Sequence, residues 1–183
     1  SWNGLTIISI SIGQGEITAT PLQIANLGAT IANRGYFVTP HIVKEIEDNP
    51  LDTLYTTRRY TGIDRAHYEE VVKGMRAAVT GSTGSATCRA VGAILPGVEA
   101  CGKTGTAQNR GKDHSVFMGF APMDNPKIAI AVYVENGGFG AVYGVPIGAM
   151  MMDQYLHGKL SPQNEILAEE FSNRVIYYSD EER

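Results

Sequence analysis

The residues best suited to chemistry are Gly102-Lys103-Thr104-Gly105-Thr106. Read as an active-site strand of a serine acyltransferase, each type has a use. Lys103 supplies a positive charge that can bind a substrate carboxylate and bias the protonation of neighbouring groups. Thr104 and Thr106 add hydroxyls for the same carboxylate. Gly105 lacks a side chain, so a substrate backbone can lie along the strand. An N–H near Thr106 can complete an oxyanion hole with the N–H of a nucleophile. Two other readings share these letters. With Gly97 in place, Gly97 to Thr104 formally fits the G-x-x-x-x-G-K-[ST] pattern of a P-loop. A P-loop must run from a strand into a helix whose N-terminus holds phosphate, whereas Gly105, Thr106, Asn109, Arg110 and Gly111 favour a turn. Short motifs also recur by chance, and an exposed turn with a surface lysine would carry the same three letters.

The remaining reactive side chains form no second constellation. Cys88 and Cys101 make no C-x-x-C pair, and His41, His67, His114 and His157 stand singly, so we expect no metal site and no cofactor. Whether the two cysteines form a disulfide is left open, since sequence does not give connectivity. The chain has 183 residues, 43% hydrophobic and 19% charged, as a soluble globular domain with its own core would. Its net charge of −4 argues against a nucleic-acid or anionic-membrane partner. The dense acidic run Asp180-Glu181-Glu182 reads as a solvated tail. No apolar stretch approaches the roughly 18 residues of a spanning helix, and Ser1-Trp2-Asn3-Gly4 opens onto domain-like sequence without a signal-peptide pattern. A soluble chain is expected, with any membrane anchor left to segments outside it.

Several elements must position the lysine segment. Leu5 to Ile12 alternates apolar and small polar residues and reads as a strand, broken by Gly13-Gln14-Gly15. Thr20, Pro21 and Gln23 form a helix start with a capping box. Ile24, Leu27, Gly28 and Ile31 share one face of that helix, and Asn33-Arg34-Gly35 ends it, with Gly35 able to take the left-handed cap. Tyr36 to Glu47 reads as extended chain broken by Pro40, and Glu47 to Thr61 as loop. Asp64 caps a helix with Tyr68, Val71, Val72, Met75 and Val79 on one face, and the small polar run Thr80 to Ser85 closes it. Three strands are expected at Val98 to Thr104, Ser115 to Ala121 and Lys127 to Val134, antiparallel because their connections are short. The loop Gly137 to Gly140 leads into a helix from Val142 to Leu156, with Gly148 and Ala149 small enough for close approach to a sheet. Asn164 to Arg183 reads as partly helical at best. The fold class is α+β, helices packed on an antiparallel sheet, with residues 1–160 as one domain portion and 161–183 as a C-terminal tail.

The segments around the lysine carry a resemblance. Ile12-Gly13-Gln14-Gly15-Glu16, Ala19-Thr20-Pro21-Leu22-Gln23-Ile24-Ala25, Ala32-Asn33-Arg34-Gly35 and Gly119-Phe120-Ala121-Pro122, in that order with Lys103-Thr104-Gly105, closely resemble class B penicillin-binding proteins, above all the penicillin-binding protein 2 type. The resemblance runs from Trp2 to Leu156. It implies the C-terminal part of a β-lactamase-like transpeptidase fold, truncated on its N-terminal side, with the lysine strand extending from Val98 to Thr106. It implies a peptidoglycan D,D-transpeptidase that also binds β-lactams. Lys103, Thr104, Gly105 and Thr106 would be its site residues, for substrate carboxylate and oxyanion.

That family attacks with a Ser-x-x-Lys serine, and no serine of this chain has lysine three residues later. Ser1-Trp2-Asn3 has the spacing of the family's Ser-x-Asn motif but lies too near Gly13-Gln14-Gly15, and Ser172-Asn173 lacks the intervening residue. The chain by itself is therefore expected not to acylate. The resemblance further implies a longer protein anchored in the bacterial inner membrane with this domain in the periplasm, and a glycosyltransferase of the elongation machinery as partner. A chain lacking the rest of its domain would leave apolar surface open, so a dimer is a further expectation. A β-lactam sensor domain of the same fold, and a purely structural domain with Lys103 at its surface, remain alternatives.

Overall fold

The computed structural model describes residues 3–15, 17–81 and 86–178. The expected capping box is present. Thr20 Oγ1 accepts from Gln23 N at 3.3 Å and Gln23 Oε1 accepts from Thr20 N at 2.8 Å, opening helix α2, Pro21–Ala32. Arg34 and Gly35, at φ 56° and 112°, turn the chain out of it. Two short strands, β1 (Tyr36–Phe37) and β2 (Arg59–Tyr60), pair across the loop that holds a one-turn helix α3, Thr53–Thr56. Asp64 caps α4, Arg65–Thr80, by accepting from Ala66 N at 2.8 Å. Tyr68, Val72, Met75 and Val79 form its buried stripe, while Val71, at the margin of that stripe, is 47% exposed. The run that closes α4 lies largely outside the described residues, as do the tail Asp180-Glu181-Glu182 and Ser1-Trp2 of the Ser-x-Asn triplet.

The central sheet has the order β3-β4-β5, with strands Cys101–Ala107, His114–Ala121 and Ile128–Val134, all antiparallel. On one face Ile130 and Val132 of β5 and Phe117 of β4 join Val79, Val91 and Ile94, where a short helix α5, Arg89–Ile94, meets α6, Gly144–His157. On the other face Cys101 and Phe120 pack with Ile31 and Ala32 of α2 and with Tyr68, Val72 and Met75 of α4. The α+β class expected from the sequence is the class observed.

Phe117 explains how tightly the layers close. A Cβ added to Gly102, Gly119 or Gly148 would lie 2.7, 2.5 or 2.5 Å from its ring, and one added to Gly144 would lie 3.0 Å from its Cβ. The ring therefore lies over the Gly102–Gly119 cross-strand pair and beneath α6.

One difference from the sequence reading has a local cause, whereas the C-terminal stretch is partly helical as expected. Gly4–Ser11 is a helix, α1, not a strand. Its β-branched residues favour a strand, but both ends are capped. Asn3 Oδ1 accepts from Thr6 N at 3.0 Å. At the other end Gly13 N donates to Ile10 O and Gln14 N to Ser9 O, at 2.9 and 3.0 Å, with Gly13 at φ 80°. This is the Schellman pattern. The C-terminal stretch forms a well-capped helix α7, Pro162–Ser172, in which Ser161 Oγ accepts from Asn164 N. Leu167, Ala168 and Phe171 pack it against the core. No helix of the described residues is long and apolar enough to cross a membrane.

Candidate active site

Strand β3 carries the lysine segment and, among the described residues, pairs with β4 alone, which leaves its second edge open there. Lys103 stands opposite Met118, Thr104 opposite Phe117, Gly105 opposite Val116 and Thr106 opposite Ser115. Side chains alternate between faces, which puts Lys103 and Gly105 on the α2 side and Thr104 and Thr106 on the α6 side. Backbone groups alternate between edges in the same way. Three carbonyls of even-numbered residues accept from side chains: Ala100 O from Arg76 Nη1 at 3.2 Å, Thr104 O from Lys103 Nζ at 2.5 Å, and Thr106 O from Gln14 Nε2 at 3.5 Å. The main-chain groups of Thr104 and Thr106 thus face the open edge, with the exposed Lys103 beside them.

The P-loop reading fails on this geometry. The chain continues as β3 through Thr106 to Ala107 and returns as β4, so no helix N-terminus follows the lysine.

The back of the strand is braced by residues that the sequence did not mark. Buried Ser115 donates its Oγ–H to Phe139 O and accepts from Gly144 N, both at 3.0 Å, tying the β5–α6 loop and the start of α6 to the sheet. Gly140 packs so closely there that a Cβ would lie 2.5 Å from Val116 O and 2.7 Å from Gly105 O. The hairpin between β3 and β4 is held to the same loop by Asn109 Nδ2 donating to Asn136 Oδ1 at 3.0 Å and by Gly138 N donating to Asp113 O at 2.8 Å. Asn136 N donates to His114 Nδ1 at 3.0 Å, so that ring nitrogen is the acceptor.

The cysteines do not pair. Cys88 belongs to the Phe117 cluster and Cys101 to the Phe120 cluster, with the sheet between them. Burial pushes the Cys88 thiol above its ordinary value, against the opposing pull of Thr87, the Lys103 charge and the Thr104 backbone. Burial drives Cys101 up to about 11 despite the nearby Arg76 and Arg34.

An open edge strand can take an extended peptide as an added strand, and a cation beside it can take that peptide's carboxylate. Residues 1–153 match the family described as the penicillin binding protein transpeptidase domain. The chain belongs to this transpeptidase family. The peptidoglycan D,D-transpeptidase MrdA of Haemophilus influenzae is 34% identical over 177 residues, covering 86% of this chain and 27% of that protein. The crystal structure of Pseudomonas aeruginosa PBP2 in complex with WCK 5153 superposes with a TM-score of 0.76 at 39% identity, over 88% of this chain and 35% of that one. The imipenem acyl-enzyme complex of penicillin-binding protein A from M. tuberculosis superposes with a TM-score of 0.66 at 30% identity, over 81% and 33% of the two chains. The chain thus spans about a quarter to a third of the length of these transpeptidase relatives.

Proposed function

We propose that this chain supplies the substrate-binding edge of a serine-type peptidoglycan D,D-transpeptidase. The open edge of β3 carries the reading, because it sets Lys103 and the main-chain groups of Thr104 and Thr106 along one line. The stem peptide lies along β3 over Gly105. Its terminal carboxylate meets Lys103 and the hydroxyls of Thr104 and Thr106. The Thr106 N–H and the N–H of the nucleophile hold the oxyanion as the serine adds to the penultimate D-Ala carbonyl. Collapse forms the acyl ester and releases the terminal D-Ala, and an acceptor amine then takes the acyl group. A β-lactam enters as the same extended amide and stops at the ester.

The nucleophile belongs to a Ser-x-x-Lys in the longer protein, since no serine of this chain is followed by lysine at that spacing. The longer protein is held in the bacterial inner membrane with this domain in the periplasm, working beside a glycosyltransferase of the elongation machinery. Leu5, Ile7 and Ile8 of α1 and Ile12 directly after it are each more than half exposed, as a helix covered by further polypeptide would be.

The test is labelling by a fluorescent penicillin followed by denaturing electrophoresis. The 183-residue chain stays unlabelled, and the longer protein is labelled. Lys103→Ala in the longer protein lowers the labelling rate by about 100-fold or more, the scale of losing one preorganised electrostatic contact. A covalent band on this chain alone, or an unchanged rate for Lys103→Ala, would overturn the assignment.

A further inference from the structure

Gln14 reaches the Thr106 carbonyl across 92 positions of sequence. Its loop is fixed from both sides. Gly13 and Gly15 take φ values of 80° and 94°, which a side chain disfavours. A Cβ on Gly15 would lie 3.0 Å from Ser9 Oγ. The Schellman bonds to Ile10 O and Ser9 O lock the loop to the end of α1. The strand it touches is braced on its inner edge and its α6 side by Ser115 and Gly140, and its outer edge carries no neighbouring strand among the described residues. Gly105 brings no side chain to that edge, and Thr106 is next to the last residue of β3. On its inner edge Thr106 pairs with Ser115, and on its outer edge Gln14 is its side-chain contact.

In a strand the N–H and C=O of one residue point to the same edge. A donor on the Thr106 carbonyl, here Gln14 Nε2 at 3.5 Å, therefore also bears on the direction of the Thr106 N–H. We propose that Gln14 is a positioning residue for acylation, holding the Thr106 end of β3 so that its N–H faces the carbonyl under attack. This rests on the transpeptidase reading above. Acting through Thr106, Gln14 contributes to the rate once substrate is bound, more than to binding itself. Misalignment of an oxyanion donor costs rate steeply because the donor must meet charge that develops only in the transition state.

The experiment uses the full-length transpeptidase that contains this chain, with Gln14→Ala and Gln14→Glu. The second keeps the side-chain shape and removes the N–H donor. Stopped-flow acylation by a fluorescent penicillin over a concentration series gives a limiting rate constant and a half-saturation concentration. Both variants are expected to lower the limiting rate constant about tenfold and to hold half-saturation within about twofold. Their Tm should stay within about 2 °C of the parent, as for other single contacts near the surface. Should Gln14→Ala fail to fold, Gln14→Glu carries the test. An unchanged limiting rate, a change confined to half-saturation, or a rate loss that tracks a fall in Tm would each overturn the inference. Absence of acylation in the parent protein would instead sink the transpeptidase reading, so the two failures are distinct.

Discussion

Replacing one glycine by alanine should have opposite effects on two helices of this fold, and the sign follows from what surrounds each position. Gly74 lies inside α4 with nothing within 4 Å of where its Cβ would stand. Alanine there gains helix propensity, about 0.8–1.0 kcal/mol over glycine. Gly148 lies inside α6, where a Cβ would stand 2.5 Å from Phe117 Cδ1 and 2.7 Å from its Cε1. The ring cannot retreat, because Gly102 and Gly119 lie as close on its far side. Overpacking of this kind costs about 1–3 kcal/mol, and the rigid surroundings favour the upper end. Setting roughly 1 kcal/mol of regained propensity against it leaves Gly148→Ala destabilised by about 2 kcal/mol. For a chain of this length that is a fall in Tm of about 4–8 °C, against a rise of about 2–4 °C for Gly74→Ala. Urea unfolding of both variants, followed by circular dichroism, measures the difference directly. Phe117→Ala provides the internal control: in that background Gly148→Ala should cost at least about 1 kcal/mol less, since the clashing Cδ1 and Cε1 atoms are gone. A Gly148→Ala variant as stable as the parent, or a cycle with no coupling, would refute the account of Phe117 as the wedge between sheet and α6.

Two more predictions concern buried groups. Asp153 of α6 is buried and accepts from Asn164 Nδ2 at 2.7 Å, His157 Nδ1 at 2.8 Å and Ser161 N at 3.2 Å, while the Asn164 amide also donates to Ile94 O at 2.8 Å. Burial pushes its carboxyl up, but the bonds from Asn164, His157 and Ser161 outweigh that and hold it below the ordinary carboxylate value. A depressed folded pKa adds stability above the unfolded value near 4 and loses it as pH falls through the folded value. Asp153→Asn should therefore cost about 2–3 kcal/mol at pH 7. That deficit should shrink below about pH 4 in acid-titrated urea melts, and a deficit independent of pH would count against the network. The Cys88 and Cys101 thiols, buried and shifted upward, should resist a disulfide reagent at pH 8 in the folded chain and react once it is unfolded in urea. Fast labelling of either thiol without denaturant would contradict that burial.

How far the sequence anticipates the structure depends on the range of the interaction that decides each element. The Thr20 capping box, the Asp64 cap and the stripe on α4 are set within one or two turns, and each forms as its letters imply. The β4 and β5 strands follow alternating patterns joined by short turns, and the hairpin through Lys103 pairs as expected. Leu5 to Ile12 misleads because its β-branched composition speaks for a strand, while the deciding terms are caps at Asn3 and Gly13 just outside the run. Helix α5 is six residues long, too short to show a period. Of the proposed site, Lys103, Thr104, Gly105 and Thr106 can be picked out from the letters because their types would suit acyl-transfer chemistry in a row along one strand. Ser115 and Gln14 cannot, because their partners lie 24 and 92 positions away. Gly13-Gln14-Gly15 was visible as part of an ordered resemblance, but the contact that gives its glutamine a use exists only once α1 is a helix. A strand at Leu5 to Ile12 would have no Schellman cap, and without that cap nothing would fix the loop that carries Gln14 to the Thr106 carbonyl. The helix at Gly4–Ser11 and the placement of Gln14 thus both depend on the glycine at position 13, and the stability of α1 and the acylation rate of the longer protein should be linked through it.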